Sequence, residues 1–132
     1  MTTRQDDLRE KACRAMTLLA TGSFADADAM FDPDAVWWII GQGEMPHARV
    51  RELAEKTEGP LAIRRLNIIG TVAEGDKVAV EAVGDMSFPD GRRYANTYHH
   101  MIEFRGDLII RLREYFDTLY VRDVFGPDLY TS

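Results

Sequence analysis

Between Ala62 and Phe116 the chain is interrupted three times in the same manner. Glu74-Gly75-Asp76, Pro89-Asp90-Gly91-Arg92 and Arg105-Gly106-Asp107 each break a run of alternating apolar and polar residues rich in Val, Ile, Tyr and Phe. Gly and Asp at such points supply the left-handed backbone and local hydrogen bonds that a hairpin turn requires. Long strands joined by tight turns predict an antiparallel meander, so a sheet must dominate the second half of the chain.

The first half reads differently. From Asp6 to Ala20 the residues Leu8, Ala12, Ala15, Met16 and Leu19 recur at spacings of three and four, predicting an amphipathic helix. Thr21-Gly22-Ser23 ends it, Gly22 suiting the C-terminal cap and Ser23 the next N-cap. "FADADAMF" predicts a short second helix, "AVWWII" a strand buried on both faces, "GQGEMPH" a loop, and "ARVRELAEKTEG" a third helix ending at Gly59-Pro60. After the meander, Asp117 or Thr118 is placed to cap a last helix, "LYVRDVF", which Gly126-Pro127 stops. Helices followed by sheet indicate an α+β domain, with the helices in the concave side of one curved sheet. The set Val78, Val80, Ala82, Gly84 and Met86 is expected on the far face, too apolar for water, which predicts a homodimer through the sheet face.

At 132 residues the expectation is one domain, 1–132, burying roughly 65–70% of its unfolded surface. The net charge of −6, and the lack of a basic cluster with interleaved aromatics, argue against a nucleic-acid partner. The lone Cys13 leaves no intrachain disulfide. "MTTRQDDLREKACRAM" has no apolar signal core, and no apolar run approaches ~18 residues. The expectation is therefore a cytoplasmic protein with no membrane partner.

Strand alternation sorts the polar residues. Asn96, Tyr98, His100, Ile102 and Phe104 share one face, while His99, Met101 and Glu103 share the other. The first set combines an apolar floor with a polar rim, as in a lined cavity. There His100 is either an acid/base or a packing residue, and Tyr98 and Asn96 are neutral donors for a developing oxyanion. Glu81, amid small apolar residues, is either paired across strands or coupled with Glu114 or His100 into an acid/base set. Trp38 with Ile40, or Trp37 with Ile39, would form an aromatic wall, and Asp117 a helix cap rather than a catalyst. No metal-ligand spacing occurs, so no metal is expected; "GQGEMP" lacks the spacing of a dinucleotide fingerprint, so no cofactor is either.

The pieces "VWWIIGQGEMP", "KVAVEA" and "IIRLREYFD", set in this order of helices and strands, resemble the nuclear transport factor 2-like superfamily. The closest branch is the SnoaL-like group, related to ketosteroid isomerases, polyketide cyclases and limonene epoxide hydrolase. The resemblance spans essentially the whole chain. It implies a cone-shaped α+β barrel with a deep apolar pocket, commonly dimeric, in proteins ranging from isomerases and hydrolases to non-catalytic members. It implies that Glu114 faces the pocket, with Leu112 and Ile110 deeper on the same face. Phe116 then also points inward, whereas Arg111, Arg113 and Tyr115 point out. Epoxide hydrolases of this kind carry an aspartate where Glu114 stands, and need an arginine and a second aspartate where this chain has Glu81 and Val83. That set is broken, so epoxide hydrolysis by that route is not expected. The function expected is cofactor-independent acid/base chemistry (isomerisation, cyclisation or dehydration) on a small apolar cyclic molecule. Glu114, His100 and Glu81 would be catalytic; Tyr98, Asn96, Trp38, Leu112 and Phe116 would bind substrate. The alternatives are a non-catalytic dimeric domain binding a small molecule and a dimerising interaction module.

Overall fold

The computed structural model describes residues 3–130. Helix α1 (Arg4–Ala20) begins with a capping box, in which Thr3 and Asp6 satisfy each other's backbone N–H groups. Its buried stripe is Leu8, Ala12, Ala15, Met16 and Ala20. A short α2 (Phe24–Asp28) leads into β1 (Phe31–Ile39), β2 (Gly43–Pro46) and α3 (His47–Glu58). The meander is β3 (Ile63–Glu74), β4 (Lys77–Ser87), β5 (Arg93–Tyr94), β6 (Thr97–Arg105) and β7 (Leu108–Phe116), followed by α4 (Thr118–Phe125). Asp117 is the N-cap of α4, its side chain accepting from the Tyr120 N–H, as the sequence predicts.

All seven strands form one curved, unclosed sheet in the order β2-β1-β7-β6-β4-β3, with β5 paired to β4. Two features depart from expectation. The "GQGEMPH" segment contributes β2, which pairs antiparallel with β1. Strand β1 lies parallel to β7, so the sheet is mixed. Helix α1 packs across β3 and β4, and α3 against β1 and β2, leaving the concave face covered by helices.

On β4 the expected orientation is reversed. Val78, Val80, Ala82 and Met86 are buried, and they face the helices, while Lys77 and Glu81 are exposed. An apolar alternate set seeks the covered face of a half-wet sheet, and α1 supplies that cover. The outer face of β4 is instead Lys77, Ala79, Glu81, Val83 and Asp85, not the apolar set from which a homodimer through the sheet face is expected. Glu81 consequently stands on the outer face opposite His99, well away from the concave interior, and cannot join an acid/base set with Glu114 or His100.

Candidate functional site

The site is made by a bulge. Near the β6–β7 turn, Phe104 pairs with Ile109, but one step further Glu103 pairs with Arg111, leaving Ile110 as the extra residue. Because strand side chains alternate, that single insertion flips the facing of all of β7 beyond it. Ile109 points in, Ile110 turns to the outer face, and Leu112, Glu114 and Phe116 turn in. The expectation that Ile110 lies beneath Glu114 is thereby corrected. The shifted register sets Glu114 directly opposite His100 and Phe116 opposite Tyr98.

The result is a bonded pair: His100 Nε2 lies 2.8 Å from Glu114 Oε2. His100 Nδ1 is buried without a partner, so the hydrogen sits on Nε2, which donates to the carboxylate. Both side chains line a half-open cavity of about 120 Å³. Its walls are mostly apolar, with Trp37, Ile39, Leu66 and Met86 from the sheet and Val50 and Ala54 from α3.

The parallel pairing of β1 with β7 sets Ile39 beside Glu114 and Trp37 beside Leu112, which decides between the two tryptophans. Trp37 faces the cavity. Trp38, expected there, is on the outer face with the Arg113 guanidinium 3.9 Å above its ring. Tyr98 and Phe116 line the cavity, whereas Leu112 is wholly buried in the core behind it. Asn96 is also misassigned as a ligand contact. Its amide donates to Tyr94 Oη and the Asp117 carbonyl, both at 3.2 Å, and accepts from Thr97 N and Asp117 N, which exhausts it.

What Asn96 holds is Tyr94, a residue the sequence reading passed over. Tyr94 Oη accepts from Asn96 and meets the Tyr98 hydroxyl, and both rings line the cavity wall. Burial pushes both phenols above their ordinary range and keeps them neutral donors. A Cβ added at Gly84 would lie 3.3 Å from Tyr98 Cε2, so the glycine on β4 makes room for that ring.

A second carboxyl enters from the opposite wall. Glu58, on the last turn of α3, lines the cavity, and its carboxyl is raised from 4.5 to about 7. Loss of hydration is the main cause and the charge of Glu114 the next, while Arg64 partly offsets them. Arg64 fixes that corner: its guanidinium donates to the carbonyls of Ala20, Glu58 and Gly59, tying the ends of α1 and α3. Tyr130, beyond α4, completes the polar end, its phenol raised by burial and then by Glu114 and Glu58. Among the described residues no group of three or more His, Cys, Asp or Glu side chains is arranged to hold a metal ion.

Comparison with known proteins places this architecture. The family model described as the SnoaL-like domain matches residues 12–112. The chain belongs to the SnoaL-like family. Its fold is that of PrhC from Penicillium brasilianum (TM-score 0.82, 16% identity, covering 92% of this chain and 87% of that one). It is likewise similar to an epoxide hydrolase-like protein of M. tuberculosis (TM-score 0.73, 20% identity, covering 93% and 90%). Bal32a, from a soil-derived mobile gene cassette, is a third (TM-score 0.75, 18% identity, covering 95% and 100%). No curated protein sequence matches it.

At the other end of the cavity this SnoaL-like domain carries a cluster with no counterpart in the sequence reading. Trp37 Nε1 donates to His47 Nδ1 at 3.1 Å, so His47 bears its hydrogen on Nε2, 2.7 Å from Asp28 Oδ1. The other Asp28 oxygen is 3.0 Å from Arg51 Nε, and Phe31 stacks on the imidazole at 4.0 Å. Both His47 nitrogens are occupied, which makes it a bracket joining α2, α3 and β1. Glu58 and His47 both fall on the stripe of α3 that holds Val50 and Ala54. That helical spacing was the available signal for them. Among the described residues no helix is long and apolar enough to cross a membrane.

Proposed function

We propose that this protein is a small acid/base enzyme that removes a proton from carbon beside the carbonyl of a neutral cyclic molecule. Glu114 is the base. One of its oxygens is held by His100 Nε2–H, while Oε1 has no hydrogen bond among the described residues and its side chain is only 18% exposed. That half-engaged carboxylate on the wall of a mostly apolar cavity is the observation that carries the reading, because a base must be oriented while one oxygen stays free to take the proton. Tyr94, backed by Tyr98 and Asn96, supplies the neutral donor for the oxygen on which charge develops. The hydrogen bond it accepts from Asn96 polarises its O–H and strengthens the one it gives.

The test is conversion of cyclohex-3-en-1-one to its conjugated isomer, followed by ultraviolet absorbance. Glu114→Gln is expected to lower kcat about a hundredfold or more, since a positioned base contributes about 10²–10⁴. Turnover undiminished in that variant removes Glu114 from the role. Should no ketone of a cyclic panel turn over while one raises the melting temperature, the protein is a binding domain.

A further inference from the structure

Two carboxyls facing one small cavity pose a problem of charge. Removing a proton from carbon with Glu114 alone would move its charge onto the substrate oxygen, against mostly apolar walls and beside Glu58. The groups facing the cavity with Glu58, or beside it, are Glu114 from β7, Arg64 from β3, Tyr94 from β5, Tyr98 and His100 from β6, Tyr130 from the segment after α4 and, on α3 itself, His47 and Arg51, both engaged with Asp28. Arg64 is the sole cation among those from the other elements, and it is spent on three backbone carbonyls. The site therefore favours a step that leaves no charge on the substrate oxygen.

We propose that Glu58 is the acid of the same reaction. As Glu114 takes the proton from carbon, the Glu58 carboxyl gives its own to the carbonyl oxygen, and the product of the step is a neutral enol. The C–H electron pair becomes the new carbon–carbon π bond, the carbonyl π pair passes to oxygen, and oxygen bonds the Glu58 proton. Glu114 ends protonated and Glu58 ionised, so the cavity holds one carboxylate charge before and after. This rests on the reading of Glu114 as base and deepens it: the substrate must present one oxygen acceptor to Glu58 and one acidic C–H to Glu114. Burial and the neighbouring charge of Glu114, which raise Glu58 to about 7, equip it to hold and release a proton near neutrality.

The contact is testable without turnover. 2-Tetralone is neutral across the range, so any pH dependence of its binding belongs to the protein. Calorimetric affinity is expected to weaken about tenfold from about pH 6 to about pH 8, as a single group titrating near the middle of that interval loses its proton. In Glu58→Gln the affinity should be flat. A flat wild-type profile, a slope that survives in Glu58→Gln, or no binding at either pH overturns the assignment. A carbon-13 titration of the wild-type carboxyls provides a check free of substitution: Glu58 must protonate near neutrality, and an ordinary carboxylate midpoint would refute it. A flat profile with turnover that depends on Glu114 discards Glu58 and leaves the enzyme reading intact. A sloped profile that needs Glu58, without turnover, keeps the contact and discards the enzyme.

Discussion

Glu58 ties the chemistry of single residues to stability. Its folded value, about 7, lies above its ordinary 4.5, so the folded state holds a proton that the unfolded chain releases. Below the ordinary value both states are protonated and stability is complete. As pH rises towards the folded value the unfolded state gains by ionising, and stability falls until the folded carboxyl also ionises. Glu58→Gln has nothing to release. It should exceed the wild type by up to about 3 kcal/mol in urea unfolding at about pH 8, and lose that advantage near pH 4. An equal difference at both pH values would show that Glu58 is not held neutral by its surroundings. The sequence made His100 and Tyr98 legible, because alternation along one strand fixes their common face. Glu58 was obscured because a glutamate before Gly59-Pro60 looks like an ordinary solvated helix end, and only packing of α3 against the sheet turns it inward.

Among the elements, the β6–β7 hairpin decides most. Alternation could sort β7 into two faces, but choosing between them depends on the bulge at Ile110, and nothing in "RGDLIIRL" announces the extra residue. The family resemblance supplied the facing of Glu114 and misplaced Ile110 for that reason. Trp37 and Trp38 were undecidable for a related cause: a strand wholly apolar in sequence takes its facing from its neighbour, and the neighbour of β1 is the distant, parallel β7. The other element-scale device is the His47 bracket. His47→Phe keeps the stack on Phe31 but strips Trp37 Nε1 and one Asp28 oxygen of their partner. Trp37 Nε1 is the buried one of the two, and leaving such a group unpaired costs about 1–3 kcal/mol, so the variant should lose stability in that range, read as a lower urea midpoint. An unchanged midpoint would mean that α2, α3 and β1 are joined by apolar packing alone.

For the whole molecule, local rules were enough to order the elements: the Thr21-Gly22-Ser23 stop, the three turns built on Gly and Asp, and the Asp117 cap each fix a boundary from a few residues. They could not specify which face of β4 the helices cover, since burial of Val78 and Val80 and exposure of Glu81 follow from where α1 lands. The SnoaL-like architecture brings residues from α3, β5, β6, β7 and the segment after α4 to one polar end of an apolar hollow, and no single stretch of sequence contains that meeting point. The central claim concerns this hollow: the Glu114 carboxylate takes protons from carbon within it. Deuterium exchange at the C1 position of 2-tetralone in heavy water, followed by proton NMR, measures that event without requiring the natural substrate. Wild-type protein should exchange those protons well above the buffer rate, and Glu114→Gln should return exchange to the buffer rate; exchange that is no faster than buffer, or that persists in the variant, contradicts the account.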